Sequence, residues 1–106
     1  MRKKQIALMK KSAFLVNCSR GEILDEAALA DAIRNREIAG AALDVYEEEP
    51  PVGSQMLAVE PVSLTPHLGA LTREAQVRVG ETVAEDVLRA ISGEKPHFCV
   101  NPEALR

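Results

Sequence analysis

The sequence predicts an α/β fold: one half of a doubly wound parallel sheet, with flanking helices and a C-terminal arm. Three observations lead to this prediction. Short, continuous apolar runs bounded by turn residues are typical of strands in a parallel sheet. Amphipathic helical segments alternate with these runs. Finally, 106 residues allow one small domain with three candidate strands, whereas a complete doubly wound sheet commonly has about five or six.

The first strand is predicted over residues 13–16, an apolar run that ends at the polar segment 17–21. Because consecutive positions are apolar, we expect both faces of this strand to be buried. Asp25 occupies the N-cap position of a helix over residues 26–35. This segment is rich in helix formers and carries an apolar stripe of Ala28, Leu29, Ala32 and Ile33.

Residues 38–45 predict a second buried strand, which stops where an acidic run begins. A strand, a helix and a strand of this length normally form two parallel neighbours joined by a right-handed crossover. Residues 46–61 contain prolines and no periodicity, and they predict a long irregular loop of the functional or mobile kind. A brief third strand follows over residues 62–64, and His67 comes shortly after it.

A long helix is predicted to begin after Thr72, which is a favourable N-cap residue. From residue 73 onward an apolar stripe continues for about five turns. Gly93 is expected to end the helix as its C′ residue, and Pro96 prevents the helix from resuming. The polar tail over residues 94–106 is expected to form an arm.

Composition excludes several classes of function. The net charge of −3 and the sequence pI of about 5.4 argue against a nucleic-acid partner. Cys18 and Cys99 lie far apart and outside any Cys/His ligand spacing, so neither a disulfide framework nor a metal site is expected. The longest apolar run, residues 38–43, is much shorter than the roughly 20 residues that span a bilayer, so no membrane partner is expected. These features favour a cytoplasmic protein.

Chemically active side chains follow each predicted strand. Arg20 lies after the first strand, Asp44 and Glu49 at the end of the second, and His67 after the third. In open parallel sheets ligands bind beyond the carboxyl ends of the strands, so these four side chains would share one edge. Each has a structural alternative: a surface cation for Arg20, a backbone cap for Asp44, a solvated carboxylate for Glu49 and a locally bonded turn residue for His67.

Together the four side chains suit one kind of reaction. Arg20 can hold a substrate carboxylate through two parallel hydrogen bonds. His67 can accept or donate a hydroxyl proton, and a neighbouring Glu49 would favour its imidazolium form. Asp44 would then face a polar part of a cofactor.

Three ordered motifs carry a resemblance to a known family. They are the segment 16–21 with Asp25 downstream, residues 40–50, and residues 65–75. They resemble the nucleotide-binding domain of the NAD-dependent D-2-hydroxyacid dehydrogenases, the phosphoglycerate dehydrogenase family. The resemblance covers Met9 to Pro102 and implies a partial Rossmann fold, the C-terminal portion of that domain.

The resemblance implies a role for each matched residue. Arg20 corresponds to the arginine that binds the substrate carboxylate, Glu49 to the glutamate that orients the histidine, and His67 to the catalytic acid–base. The nicotinamide pocket would be lined by Cys18, Ser19, Asp44, Gly69 and Ala70. The cofactor implied is NAD, the substrate is a small 2-hydroxy or 2-oxo acid, and the chemistry is reversible hydride transfer.

The chain also lacks parts that the family uses. No G-x-G-x-x-G motif occurs in it, and no substrate domain is present. We therefore expect residues 1–106 to form a single partial NAD-binding domain that binds cofactor weakly or not at all and is inactive alone. If the chain is a fragment of an active oxidoreductase, residues 1–11 should be the end of a longer helix.

Whether the isolated chain is an enzyme stays open at this point. The alternative is a non-catalytic module on the same half-fold that self-associates or binds a partner. We expect a homo-oligomer or pairing with a missing half, because half a sheet leaves a strand edge and apolar surface uncovered, and a strictly monomeric chain would argue against the non-catalytic module.

Overall fold

The computed structural model describes residues 1–105, which divide into two compact units. The first unit is Met1–Gly69, and the second begins at Ala70. Every strand of the described chain lies in the first unit, together with two of the three α-helices.

The first unit is built on a parallel sheet of three strands. They are β1 (Phe14–Asn17), β2 (Gly40–Leu43) and β3 (Val62–Leu64), in the order β1-β2-β3. Asn17 pairs with Leu43, which in turn pairs with Leu64, so all three strands end at the same level. The predicted α/β class and parallel half-sheet are confirmed.

Two α-helices belong to this unit, α1 (Lys3–Ile6) and α2 (Glu26–Arg34). Asp25 caps α2 as predicted, because its side chain accepts a hydrogen bond of 2.9 Å from the Ala28 amide. The predicted stripe of α2 forms the centre of the core, with Leu29 fully buried. The core also contains Ile6, Leu15, Leu24, Ile38, Ala41 and Leu43. In residues 1–11 only the single turn of α1 is helical.

The expectation that β1 is buried on both faces is wrong. Leu15 and Asn17 are buried, but Phe14 and Val16, on the opposite face, are each 66% exposed. Successive strand residues point to opposite sides, and the core of this unit lies on the side of Leu15. The other face of the sheet therefore presents apolar side chains without a layer over them in this unit.

The interval 46–61 is more ordered than its sequence predicts. It contains a 3₁₀ helix, Gln55–Ala58, which Ser54 caps by accepting a hydrogen bond from the Met56 amide. Met56 and Val59 are 1% and 5% exposed and join the core, so this segment packs against the rest of the unit. Conversely, β2 is shorter than the predicted 38–45, because it pairs with β1 only from Gly40 to Leu43.

The second unit contains the long helix α3 (Arg73–Ile91). Its predicted ends are confirmed: the Thr72 side chain accepts from the Ala75 amide, and Gly93 has a φ of 77° after the C-cap residue Ser92. No residue of α3 is buried. The carboxylate of Asp86, on α3, accepts hydrogen bonds from the amides of residues 97 and 98, which follow the helix, and these two bonds hold the pKa of Asp86 below its usual value.

The remaining 3₁₀ helices are Gly21–Ile23 in the first unit and Pro102–Leu105 in the second. Within residues 1–105, no helix combines the length and the apolar character needed to cross a bilayer.

Replacing Gly21 by alanine tests how tightly the segments after β1 and β2 pack. A Cβ at Gly21 would lie 1.7 Å from the carbonyl oxygen of Tyr46, so the two backbones would have to separate. We expect Gly21→Ala to lower the free energy of unfolding by about 2 kcal/mol, measured by urea denaturation. Gly53→Ala is the matched control, since a Cβ there meets no atom within 4 Å. Equal midpoints for the two variants would contradict this packing.

Candidate active site

The turn after β1 is shaped by the side chain of Asn17, which is 5% exposed. Its amide nitrogen donates to the carbonyl of Arg20 at 2.9 Å, and its amide oxygen accepts from the Ser19 N–H at 3.1 Å. These two bonds satisfy a buried polar side chain and at the same time fix the main chain of residues 17–20. Cys18 and Ser19 are held exposed in this turn at the carboxyl end of β1.

Arg20 lies at the end of this turn with an exposed side chain. One guanidinium nitrogen donates to the Ser19 carbonyl at 2.7 Å. Because a guanidinium carries five N–H donors, this single bond leaves a pair of donors for a carboxylate. The guanidinium thus hydrogen-bonds to its neighbour in sequence and not to Glu49 or His67.

Asp44 follows β2 and fastens the segment after β3 to it. Its carboxylate accepts three hydrogen bonds: one of 2.6 Å from the Thr65 hydroxyl, one of 2.7 Å from the Leu68 amide and one of 2.8 Å from the Gly69 amide. The Thr65 and Leu68 bonds, in that order, are the main reasons that the pKa of Asp44 lies below its usual value. The structural alternative recognised for Asp44, a cap for nearby amides, is what the carboxylate does in this structure.

His67 lies inside the segment that Asp44 holds, between Thr65 and Leu68. Its φ is +54°, in the left-handed region that residues with a Cβ adopt at a cost. The His67 amide donates a hydrogen bond of 3.1 Å to the Thr65 carbonyl. Together with the bonds of Thr65 and Leu68 to Asp44, on either side of His67, this bond maintains the conformation. Backbone strain of this kind is characteristic of functional positions.

Glu49 and His67 are in direct contact. Nδ1 of His67 lies 2.7 Å from one carboxylate oxygen of Glu49, and the other oxygen accepts a hydrogen bond of 3.1 Å from the Tyr46 amide. These two bonds, the histidine one first, hold the pKa of Glu49 below its usual value. An ionised carboxylate only accepts hydrogen bonds, so the proton between the two side chains belongs to Nδ1. Nε2 of His67 is then the nitrogen available for proton exchange.

Tyr46 joins the two sides of this arrangement, a role that the sequence analysis missed. Its ring is buried, and its hydroxyl lies 2.8 Å from the Thr65 carbonyl and 3.3 Å from that of Leu43. The pKa of Tyr46 is raised, mainly by burial of its side chain, so the hydroxyl stays protonated and can donate hydrogen bonds to these carbonyls. A signal was present, since a tyrosine directly after a buried strand commonly needs a partner for its hydroxyl.

A small cavity of about 140 Å³ adjoins the histidine–glutamate pair. Its lining combines three prolines with three side chains that carry polar groups: Pro50, Pro51 and Pro66, with Tyr46, Glu49 and His67. No group of three or more His, Cys, Asp or Glu side chains within residues 1–105 is arranged to hold a metal ion.

The two remaining candidates follow His67 in the chain. The Gly69 amide is tied to Asp44, as described above. Ala70 begins the second unit, with a φ of 63°, and its carbonyl accepts 2.7 Å from the side chain of Gln76. Of the predicted site residues, the structure thus joins Glu49 to His67 and Asp44 to Gly69 by direct hydrogen bonds.

Comparison with known proteins identifies the family. The family described as D-isomer specific 2-hydroxyacid dehydrogenase, NAD binding domain, matches residues 1–69, which contain the whole sheet and the Glu49–His67 pair. The chain belongs to this family. The resemblance drawn from the three sequence motifs is confirmed.

Individual members of the family are similar along most of the chain. A D-3-phosphoglycerate dehydrogenase of Methanocaldococcus jannaschii is 48% identical over 99 residues, which are 93% of this chain and 19% of that protein. A crystal structure of a glyoxylate reductase from Paecilomyes thermophila has a TM-score of 0.86 at 34% identity, over 95% of this chain and 31% of that one.

A further solved member shows the cofactor class. A D-isomer specific 2-hydroxyacid dehydrogenase from Xanthobacter autotrophicus Py2, in complex with NADPH and MES, has a TM-score of 0.81 at 36% identity, over 100% of this chain and 43% of that one. The family is thus one of nicotinamide-cofactor domains. The chain spans 19% to 31% of the length of the curated dehydrogenases it matches.

The low pKa of Asp44 predicts how this dehydrogenase domain responds to acid. A carboxylate whose pKa is depressed by folding stabilises the folded state above its unfolded pKa, and this stabilisation disappears as the pH falls through the folded pKa. We expect Asp44→Asn to be less stable than the wild type near neutrality and to lose less stability between about pH 6 and about pH 3, measured by urea denaturation.

Glu48→Gln is the control for this experiment, since it removes an exposed carboxylate from the neighbouring loop. It should leave the pH dependence of the wild type nearly unchanged. If Asp44→Asn kept the same slope as Glu48→Gln, the Asp44 carboxylate would not be holding the segment after β3.

Proposed function

We propose that this chain supplies the catalytic edge of the NAD-binding domain of a D-2-hydroxyacid dehydrogenase, which moves hydride between NAD(H) and a small 2-hydroxy or 2-oxo acid. The observation that carries the proposal is the 2.7 Å contact between His67 and an ionised Glu49, held at the carboxyl edge of a parallel sheet. Ligands of such sheets bind at this edge.

His67 is the proposed acid–base. With Nδ1 donating to Glu49, Nε2 can take the proton of the substrate hydroxyl during oxidation and return it to the carbonyl oxygen during reduction. Glu49 stabilises the imidazolium that forms when Nε2 accepts the proton. NAD, when bound, supplies the group that accepts or gives the hydride.

Arg20 is the proposed holder of the substrate carboxylate. Its guanidinium is exposed beyond β1 and has donors left after its bond to Ser19. Two parallel N–H donors would fix the orientation of a carboxylate as well as its position, which the point charge of a lysine does less well.

The residues at this edge suit the nicotinamide end of the cofactor. An ionised carboxylate offers about four acceptor positions, and three bonds to Asp44 leave it able to accept one more, as from a carboxamide. The exposed turn at Cys18 and Ser19 and the backbone at Gly69 and Ala70 would complete the pocket.

The cofactor's other end needs groups from elsewhere. The 106 residues contain no G-x-G-x-x-G sequence to cradle a pyrophosphate. We therefore propose that this chain alone binds NAD weakly or not at all and does not turn over substrate. It would act only within a complete dinucleotide-binding domain.

A chimeric enzyme tests the proposed roles. The segment of the M. jannaschii dehydrogenase that this chain matches would be replaced by the chain's own residues, and oxidation of that enzyme's substrate by NAD would be followed. We expect an active chimera in which His67→Ala lowers kcat by about 10²- to 10⁴-fold, since it removes the acid–base. Arg20→Lys should raise KM more than it lowers kcat.

Glu37→Gln serves as the control in the same chimera, because Glu37 is an exposed carboxylate that precedes β2 at the opposite edge of the sheet. It should behave like the parent chimera. Turnover that survives His67→Ala unchanged would remove the catalytic assignment.

A second candidate, self-association of the chain, rests on the uncovered face of the sheet. An open groove of about 580 Å³ lies on that face, lined by Phe14, Val16, Ala42, Pro61 and Ser63, with Glu60 beside them. Parallel sheets are normally covered on both sides, so this surface would be stabilised by contact with a second copy of the chain.

Light scattering on the isolated chain tests the second candidate. We expect a dimer or a larger oligomer that Val16→Lys shifts toward monomer, because the substitution places a charge on the apolar groove. Leu8→Lys, at a site that is 86% exposed outside the groove, is the control. A monomeric wild-type chain at high concentration would rule out self-association through this face.

A further inference from the structure

One buried acidic side chain has no part in the chemistry proposed above. Glu26 is the first residue of α2 and is 7% exposed, although glutamate is rarely buried without partners. Glu26 is well separated in sequence from the loop that carries Glu49.

The partners of Glu26 all belong to that loop. One carboxylate oxygen accepts a hydrogen bond of 2.7 Å from the Glu47 amide, and the other accepts a hydrogen bond from the Ser54 hydroxyl. In return, the Glu47 carboxylate accepts 3.2 Å from the Glu26 amide. Glu47 and Ser54 flank Glu49 on either side, so one buried carboxylate is bonded to both stems of the segment that presents Glu49.

The stretch between these stems needs such an anchor. Residues 47–50 are all exposed and belong to neither helix nor strand, so core packing does little to position them. The Glu49 carboxylate must nevertheless lie within hydrogen-bonding distance of His67, and it does so at 2.7 Å. Catalytic side chains tolerate displacements of only about 0.5 Å before their geometry fails.

We propose that Glu26 is a positioning residue: its buried carboxylate holds both stems of the 47–54 loop and thereby keeps Glu49 against Nδ1 of His67. Glu26 touches neither substrate nor cofactor in this role. The catalytic importance of the pair rests on the function proposed above, but the positioning itself is a property of the chain that can be measured without turnover.

The test reads the protonation of His67 in the isolated chain. Imidazole ¹⁵N chemical shifts report which ring nitrogen carries the proton, and the contact with Glu49 selects Nδ1. In the wild type at a pH where the ring is neutral, we expect the Nδ1–H tautomer to dominate. In Glu26→Ala the fraction of this tautomer should fall by about half, because both loop bonds are lost.

Two further variants separate positioning from general destabilisation. Asp25→Ala removes the cap of the same helix, a bond to Ala28 that does not involve the loop, and should keep the wild-type tautomer. Glu26→Gln retains one acceptor oxygen and should lie between wild type and Glu26→Ala; it also serves if the alanine variant does not fold.

Unchanged shifts in the Glu26 variants, or an equal change in Asp25→Ala, would overturn the positioning role. The outcome is separable from the proposed function. A wild-type chain with Nδ1–H and a Glu26-dependent tautomer supports the positioning role even if the chimeric dehydrogenase is inactive, whereas a wild type without Nδ1–H contradicts the pair itself.

Discussion

The parallel register of the sheet is the constraint on which the site depends. Asn17, Leu43 and Leu64 are aligned across the sheet, so the chain leaves all three strands at one edge. The segments that follow the strands are thereby brought close enough for direct hydrogen bonds. A slip of one residue in this register would turn the buried side chains of a strand to the opposite face and would move its exit from the edge.

Polar side chains convert this closeness into a defined geometry. Asp44 bonds the end of β2 to the segment after β3, and Tyr46 adds a second link through the Thr65 carbonyl. In the same way, Asn17 hydrogen-bonds to the main chain of the turn after β1, and Glu26 hydrogen-bonds to the loop that carries Glu49. Each of these side chains is buried and bonded, and within residues 1–105 no buried side-chain nitrogen or oxygen lacks a partner.

The sheet itself is asymmetric in its surroundings. Its inner face packs against α2 and the 3₁₀ helix Gln55–Ala58, whereas Phe14 and Val16 on the other face remain two-thirds exposed. The three strands thus hold the site residues at their carboxyl ends while one face of the sheet keeps exposed apolar side chains.

Local chemistry explains what could be predicted from the sequence alone. The caps Asp25 and Thr72 and the terminating Gly93 act through their own side chains or backbone freedom, so both longer helices were predicted nearly to the residue. The apolar runs predicted strands, and the order of strand and helix predicted their parallel pairing.

The tertiary structure alone decided which faces are buried, since a continuous apolar run does not reveal whether a second layer exists. It also decided that Met56 and Val59 draw a proline-rich loop into the core, and that Asp44, Tyr46 and Glu26 bond to partners distant in sequence. Such bonds depend on which segments the fold brings together, and a linear pattern of residues does not encode that distance.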